Sequence, residues 1–333
     1  MYVGQTLRVT VSLDADRAPR LLHYNLRMST SSDRGLFVWH EVGTTDLGDG
    51  EDFYAKIAGW KAESWSQNPS YKLFVTRRAP KAGLYLTTES LNHLTPPPSW
   101  LSYIGTPDVD ATVRQAVELG GKVVVPAYNV PRVGRMAHLQ DPQGALFAVS
   151  SQEERSSYTE PQVGDFSWHE LLTTNWQTAF DFYSKLFGWE KMIAMDMGPQ
   201  GMYQIFGLGG HHLGGMFHPG GLPPGGPLWI PYVMVADARR TAETAKDAGA
   251  VIATGPMEVP GGDWVFTGLD RQGAMFAAHS RRKEITKDVK KTTKATKTAK
   301  AANKTSKAAQ KIAKTTKKTS KITKKAKATK KRR

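Results

Sequence analysis

Residues 36–151 alternate between apolar and polar positions in the manner of strands, and two segments with helical spacing interrupt this alternation. Strands are predicted at 37–45, 71–76, 83–88, 100–105, 122–125, 135–139 and 145–149. The first helix is indicated by a polar cap, apolar positions at helical spacing and a terminal glycine: Thr45-Asp46, Phe53, Ile57, Trp60 and Gly59. The second is indicated by an acidic cap, a valine stripe and paired glycines: Asp108, Val109, Val113, Val117 and Gly120-Gly121.

Two turns are predicted between these strands. Residues 79–82, Ala-Pro-Lys-Ala, separate the second strand from the third. Residues 141–144, Asp-Pro-Gln-Gly, join the last two strands and have the residue types of a tight reversal. The order of elements is therefore βαβββ, followed by a second round of the same pattern.

The chain repeats itself at an offset of 129 residues. Trp39-His40-Glu41 returns as Trp168-His169-Glu170, and Asp52-Phe53-Tyr54 returns as Asp181-Phe182-Tyr183. Further matches at this offset are Gly59-Trp60 and Gly188-Trp189, Trp100 and Trp229, Tyr103 and Tyr232, Asp141 and Asp270, and Phe147 and Phe276. Short repeats indicate solenoids, whereas this long period indicates two copies of a small α+β module.

The repeat divides the chain into five parts. Module 1 spans 36–151, a linker spans 152–164 and module 2 spans 165–280. Residues 1–35 match neither module and are expected to be disordered and outside the fold, as an upstream-extended start with Met28 as the true first residue would explain. The alternative is an added strand from Leu7 to Leu13. Residues 281–333 form a separate basic tail.

Composition excludes several classes of protein. Because the chain has no cysteine, disulfides, thiolate metal sites and a cysteine nucleophile are excluded. No segment resembles a signal peptide or the roughly 20 apolar residues of a membrane helix, so we expect a cytoplasmic protein. Of the 45 Lys and Arg residues, 23 lie in 281–333 beside two acidic residues, so the tail carries +21 and the remainder −6 of the net +15.

The tail is mostly Lys, Ala and Thr and cannot bury a core. It is similar in composition to linker-histone tails, which implies binding to phosphate backbones, and therefore association with nucleic acid and the nucleoid. A solvated tail or a membrane tether is the alternative, although membrane-surface helices need an apolar face. The residues expected to bind nucleic acid include Lys290, Lys291, Lys294, Lys297, Lys300, Lys317, Lys318, Lys324, Lys325, Lys330, Lys331, Arg332 and Arg333.

The motifs, taken in order, resemble those of the vicinal oxygen chelate superfamily, which includes glyoxalase I, extradiol dioxygenases and bleomycin-resistance proteins. The resemblance covers about residues 36–280 and includes the Asp-Phe-Tyr…Gly-Trp helix and the closing Asp-x-Gln-Gly-Ala-x-Phe hairpin. It points to the tandem glyoxalase-like branch. The fold it implies is α+β, with tandem βαβββ modules pairing as curled mixed sheets around a central cleft.

In catalytic members of this superfamily, a divalent metal is held by side chains on the first and last strands of each module. The resemblance places these ligand positions on Trp39 and Ala148 in module 1, and on Trp168 and Ala277 in module 2. None of these side chains offers a lone pair to a metal. We therefore expect no metal cofactor of the inherited kind.

Two glutamates are the candidate catalytic residues. Because side chains alternate along a strand, Glu41 shares a face with Trp39, and Glu170 with Trp168. Carboxylates against aromatic walls can serve as general bases or bind a cation. Alternatively, each glutamate accepts hydrogen bonds from its own backbone or from a neighbouring tyrosine.

The histidines are expected to be structural. His40 and His169 fall on the opposite face from the glutamates and are predicted to be buried and hydrogen-bonded. His211, His212 and His218 lie in a glycine-rich hairpin of module 2, and adjacent strand residues point to opposite faces, which disfavours a shared metal ion.

Aromatic and methionine side chains form a candidate ligand-binding wall. They either pack the core or line an apolar cleft for a planar ligand. The set comprises Trp39, Trp168, Trp100, Trp229, Tyr103, Tyr232, Met216 and Met234.

Three functions are compatible with these features. The leading hypothesis is a protein that binds a small apolar or aromatic ligand, lacks the family's metal ligands and carries a tail for nucleic acid. The alternatives are a lyase, isomerase or hydroxylase-like enzyme that uses Glu41 and Glu170, and a DNA-associated structural protein. The two modules are expected to pair within one chain or between two chains of a homodimer.

Overall fold

The structure is a computed structural model that describes residues 33–77, 79–89, 97–152 and 158–282. Within them, module 1 consists of β1 Phe37–Thr44, α1 Leu47–Ala58, β2 Lys61–Trp65, β3 Asn68–Val75, β4 Pro80–Leu86, β5 Trp100–Gly105, α2 Val109–Glu118, β6 Lys122–Val130, β7 Gly134–Gln140 and β8 Leu146–Gln152. Module 2 consists of β9 Phe166–Leu172, α3 Trp176–Phe187, β10 Glu190–Asp196, β11 Met202–Leu208, β12 His211–Phe217, β13 Leu228–Met234, α4 Ala238–Asp247, β14 Val251–Glu258, β15 Trp264–Leu269 and β16 Met275–Ser280. None of the helices in these ranges is long and apolar enough to span a membrane.

Each module forms one mixed sheet of eight strands. The order is β2-β3-β4-β1-β5-β8-β7-β6 in module 1 and β10-β11-β12-β9-β13-β16-β15-β14 in module 2. On β8, Ala148 lies opposite Tyr103 of the parallel strand β5 and opposite His138 of the antiparallel strand β7. Paired residues of neighbouring strands share a sheet face. The predicted α+β fold with tandem βαβββ modules is confirmed.

The predicted helix boundaries are also confirmed where a polar cap and a glycine define them. The Asp46 carboxylate accepts a hydrogen bond from the N–H of Asp49, and Gly59 ends α1 with a φ of 70°. Asn175 and Gly188 play the same parts in α3, where φ is 76°. Glycine is favoured at the C-terminal end of each of these two helices because it adopts a left-handed conformation without steric strain.

The second and third predicted strands are present as β3 and β4, but the turn predicted between them was wrong. Residues 79–82 do not form a turn, because β4 already begins at Pro80, and the N–H of Thr76 donates to the carbonyl of Ala79 at 3.0 Å. The strand β2 was missed altogether. Its residues are mostly exposed and do not alternate between apolar and polar types.

The valine stripe predicted for α2 is only partly correct. Val109 is buried, but Val117 is 50% exposed, and Thr112 and Ala116 lie in the core instead. The valine spacing therefore indicated the helix but not its whole buried face.

The fold begins earlier than expected. Asp33 is only 3% exposed, and the N–H of Gly35 donates to the carbonyl of Gly105 at 2.9 Å. The end of the predicted N-terminal extension therefore belongs to the folded part of the chain, whereas residues 1–32 lie outside the described ranges.

The compact units of the protein combine parts of both modules. Unit 1 comprises the described residues of Met1–Glu41, Leu101–Glu160 and Glu170–Trp229, and unit 2 those of Val42–Trp100, Pro161–His169 and Ile230–Arg333. Each unit has its own large hydrophobic cluster. The two modules therefore contribute to common cores within one chain.

A buried chain of hydrogen bonds joins the two modules in unit 1. Trp229 Nε1 donates to the Tyr183 hydroxyl at 2.9 Å, and that hydroxyl donates to Asp141 Oδ2 at 3.1 Å. Tyr183 belongs to module 2 and Asp141 to the closing turn of module 1. Burial raises the pKa of Asp141, although N–H groups of its own turn and Tyr183 counteract this effect.

Unit 2 repeats this chain with the modules exchanged. Trp100 Nε1 donates to the Tyr54 hydroxyl at 3.0 Å, and Tyr54 donates to Asp270 Oδ2 at 3.0 Å. Burial, and then the nearby Asp270 charge, raises the pKa of Tyr54 well above its ordinary value, so this hydroxyl keeps its proton. The repeated Asp-Phe-Tyr and Asp-x-Gln-Gly motifs thus hold the modules to each other.

We expect Tyr54→Phe and Tyr183→Phe each to lower the free energy of unfolding by about 1–3 kcal/mol, because a buried indole N–H loses its acceptor and a buried carboxylate loses its donor. Urea unfolding at pH 7, followed by tryptophan fluorescence, measures the loss. Tyr158→Phe is the matched control, since its hydroxyl bonds the exposed Glu160. Equal effects of all three substitutions would contradict the proposed role of the buried chains.

Candidate functional site

Glu41 lies at one end of a polar chain on the module 1 sheet. The Tyr103 hydroxyl, on β5, donates to Glu41 Oε2 at 2.8 Å. Tyr103 is only 1% exposed, whereas Glu41 is half-buried. The alternation of β1 brings Glu41 to this face, and β5, the neighbour of β1 in the sheet, brings Tyr103 beside it.

His138 and Tyr128 extend this chain. His138 Nε2 is 3.1 Å from the Tyr103 hydroxyl and 3.2 Å from the Tyr128 hydroxyl. Since Tyr103 donates its proton to Glu41, its oxygen can accept from His138 in the tautomer that carries the hydrogen on Nε2, whereas in the other tautomer Nε2 can accept from Tyr128. Burial lowers the pKa of His138 to about 4, so the ring is neutral at physiological pH.

Apolar side chains surround the polar chain. Leu101, Tyr103, Met136 and Ala148 form a small buried cluster within unit 1. The half-buried side chains packed against it are Val38, Trp39, Tyr128, Val130 and Val133. We call this surface, with Glu41 and His138, the module 1 face. An apolar surface with a few convergent polar groups is typical of small-molecule sites.

The positions that the family resemblance assigns to metal ligands do not suit a metal. Trp39 borders the module 1 face, and Ala148 is fully buried between Tyr103 and His138. Their module 2 counterparts are Trp168 and Ala277. An indole N–H and a methyl group provide no lone pair. In the part of the chain that the structure describes, no three His, Asp or Glu residues cluster as a metal site.

The two candidate glutamates differ in their surroundings. Glu170 accepts from the hydroxyl of Tyr203, on β11, at 3.0 Å, whereas Glu41 accepts from Tyr103 on β5. Each glutamate therefore accepts from a neighbouring tyrosine, as one of the two interpretations of the sequence required. Thr267 occupies the module 2 position equivalent to His138, so the longer chain belongs to module 1.

The predicted ligand-binding wall separates into core and surface residues. Trp100 and Trp229 are buried and bond to core tyrosines, and Met216 lies fully buried in the core of unit 1. These three residues therefore pack in the core and do not line a ligand-binding cleft. Met234 and Tyr232 are also buried, whereas Trp39 and Trp168 remain half-buried.

The histidines named from the sequence have other surroundings than His138. His40 and His169 are buried, as predicted. His211 stacks on Tyr158 with ring centroids 3.9 Å apart, and His218 Nδ1 lies 3.2 Å from the Thr173 carbonyl. Sequence reasoning missed His138, although it lies opposite Ala148, a position that the family resemblance had marked.

Comparison with known proteins places the chain among glyoxalase-like proteins. CFP32 of Mycobacterium tuberculosis, whose name describes it as a glyoxylase, is 30% identical over 254 residues, which cover 72% of this chain and 92% of CFP32. The anthracycline biosynthesis protein DnrV of Streptomyces peucetius is 27% identical over 275 residues, which cover 75% of this chain and 94% of DnrV. No family model matches the chain.

Solved structures of the same fold include a glyoxalase and a dioxygenase. The Mn(II)-bound glyoxalase of Novosphingobium aromaticivorans superposes with a TM-score of 0.55 at 17% identity and covers 74% of this chain and 82% of its own. The 2,3-dioxygenase LapB of Pseudomonas sp. KL28 gives 0.53 at 12% identity, covering 75% and 93%. At these identities the similarity establishes the fold.

The depressed pKa of His138 predicts a pH-dependent stability. Its contribution is fully present above pH 6.5 and is lost as the pH falls towards 4, by about 3 kcal/mol over that window. Urea unfolding at pH 7 and pH 4 should therefore show a smaller decrease for His138→Asn than for the native chain. His212→Asn, at an exposed position on β12, is the control. Equal decreases in the native and His138→Asn proteins would show that His138 does not titrate in this way.

Proposed function

Since the chain belongs to the glyoxalase-like proteins of the vicinal oxygen chelate superfamily, we propose that it binds a small apolar or aromatic molecule on the module 1 face. The observation that carries this proposal is the polar chain Glu41–Tyr103–His138–Tyr128 on an otherwise apolar surface. A planar ligand with a hydroxyl or carbonyl group suits it. The neutral imidazole and the tyrosines can donate, and the carboxylate can accept.

We further propose that the inherited metal site has been lost. The support is chemical, because Trp39, Ala148, Trp168 and Ala277 cannot act as ligands. Glu41 and His138 are the nearest alternative donors in module 1, but both are hydrogen-bonded to Tyr103. The relative named for anthracycline biosynthesis agrees with an aromatic ligand.

Catalysis is the second candidate function, and the contact between Glu41 and Tyr103 favours it. A carboxylate oriented by a buried hydroxyl can remove a proton from a bound molecule. Glu170, with Tyr203, is the corresponding pair in module 2. A lyase or isomerase that uses these bases would convert the bound ligand to a product, whereas a binding protein would release it unchanged.

For the tail, we propose non-specific binding to nucleic acid. The tail residues beyond Arg282 lie outside the described ranges, so the proposal rests on composition alone, namely a net charge of +21 in 281–333. Lysines at this density neutralise phosphates and release counterions. This activity is separate from ligand binding by the modules.

We expect a thermal-stability screen of phenols, aromatic ketones and quinones against the full chain to find ligands whose affinity falls about tenfold or more in Tyr103→Phe and Glu41→Gln. Each hydrogen bond lost to a buried polar partner is worth about 1–3 kcal/mol. Calorimetric titration below the unfolding temperature measures the affinity. Tyr203→Phe, the matched change in module 2, should leave it unchanged.

Product analysis and elemental analysis of the same preparation complete this test. A ligand recovered unchanged supports binding, whereas turnover abolished by Glu41→Gln supports the enzyme. About one equivalent of a transition metal per chain would refute the proposed loss of the metal site. Ligands that respond to Tyr203→Phe but not to Tyr103→Phe would move the site to module 2.

For the tail, we expect the full chain to bind duplex DNA of any sequence, with an affinity that falls roughly 10³- to 10⁵-fold between 50 and 200 mM salt. Fluorescence anisotropy of a labelled duplex measures it. A full-length variant with the thirteen named tail Lys and Arg residues changed to Gln should lose most of this affinity. Undiminished binding by that variant would assign the DNA contact to the folded modules.

A further inference from the structure

Module 2 contains a serine, a histidine and an aspartate in one hydrogen-bonded line. Ser167 on β9 has its Oγ 2.9 Å from His279 Nδ1, on β16. His279 Nε2 lies 2.9 Å from Asp263 Oδ2, in the residue just before β15. All three belong to unit 2. They are separated by 112 and 16 residues in sequence, so the fold alone brings them together.

The ionised state of Asp263 favours one direction of donation along this line. Burial acts to raise the pKa of Asp263, but the Arg282 N–H, at 2.8 Å from Oδ1, and the imidazole outweigh it, so the pKa lies below its ordinary value. The ionised carboxylate accepts the Nε2 hydrogen. The Nδ1 lone pair is then directed at the Ser167 hydroxyl.

The serine proton has one strong acceptor among the contacts seen for it. The Tyr232 carbonyl lies 3.4 Å from Ser167 Oγ, at the limit of a hydrogen bond, whereas His279 Nδ1 lies at 2.9 Å. A serine hydroxyl beside an imidazole that is itself oriented by a carboxylate is an arrangement that can activate the serine as a nucleophile, here with the roles of Nδ1 and Nε2 exchanged relative to the familiar serine hydrolase triad.

The fold does not require these three residues. At the offset of 129, module 1 has Val38, Ser150 and Gly134 in place of Ser167, His279 and Asp263. Module 1 nevertheless forms a sheet with the same strand order. Residues of this kind are therefore not needed for the strand order, and the triad is particular to module 2.

We propose that Ser167 is a nucleophile for acyl transfer from small activated esters, with His279 as its general base and Asp263 as the positioning residue. Ser167 Oγ attacks the acyl carbon while His279 Nδ1 takes the hydroxyl proton. The bond to the leaving oxygen then breaks, and the alcohol or phenol departs with that proton. Water, deprotonated by His279, hydrolyses the resulting serine ester, releases the carboxylic acid and restores Ser167.

Activated esters are the favoured class because a phenol leaves readily without strong stabilisation of the oxyanion. The site is on module 2 and shares no residue with the polar chain of module 1. The proposal is therefore independent of the ligand-binding function proposed above.

The test treats the full chain with an alkyl fluorophosphonate and locates the adduct by peptide mass spectrometry. We expect one adduct, on Ser167, and hydrolysis of p-nitrophenyl acetate with an initial burst. No adduct on Ser167 in the native chain, or an adduct only on another residue, would overturn the proposal whatever the variants show.

The variants separate catalysis from structure. Ser167→Ala should abolish labelling, and His279→Gln should slow it about 100-fold or more, because the general base is lost. Asp263→Asn should change the pH profile of labelling as well as its rate, which a structural role would not do. Ser184→Ala, a serine on α3, is the control. Labelling of Ser167 at the native rate in His279→Gln, with circular dichroism unchanged, would contradict the assigned base.

Discussion

The structure depends on a tyrosine hydroxyl buried between an indole donor and a carboxylate acceptor. In each compact unit the tyrosine and tryptophan come from one module, and the aspartate from the other. The same aspartates accept hydrogen bonds from N–H groups of their own turns, Gln143 and Ala145 in one case. The same carboxylate therefore stabilises the turn of its own module and binds the tyrosine of the other module. Since an unsatisfied buried polar group is costly, this arrangement specifies how the modules pair more strongly than apolar contact alone would.

On this common framework the two sheets carry different chemistry. Module 1 presents a glutamate, two tyrosines and a neutral histidine, whereas module 2 presents a serine, a histidine and an aspartate. The glutamates recur at equivalent positions but accept from tyrosines on different strands, β5 and β11. In a duplicated fold, the residues on one module's sheet can change while those on the other module's sheet are kept. The Trp–Tyr–Asp chains are the same in both units, as expected of residues that the fold requires. The polar residues on the two sheets differ, as expected of residues that it does not require.

The fold was largely predictable from the sequence, because caps, glycines and the repeat are local signals. Asp46 and Gly59 define α1, and the matching motifs in module 2 define α3. The exposed strand β2 gives no such signal and was missed. For the site, alternation along β1 predicts that Glu41 shares a face with Trp39, but Tyr103 is 62 residues away in sequence and His138 is 35 residues beyond Tyr103. Period alone shows which face a residue occupies and not which strand lies next to it, so the polar chain and the triad could not be derived.

The exchange of hydrogen-bond partners between modules has an evolutionary consequence. Module 1 alone has the donor Tyr54 without its acceptor and the acceptor Asp141 without its donor, and module 2 has the complementary deficit. If the two modules were separate chains, each would need the other to complete its hydrogen bonds. The two subunits of an ancestral homodimer would have depended on each other in the same way. Gene fusion makes that partnership unimolecular, so assembly no longer depends on protein concentration, and each half can then accumulate substitutions that a symmetric dimer would have to accept twice.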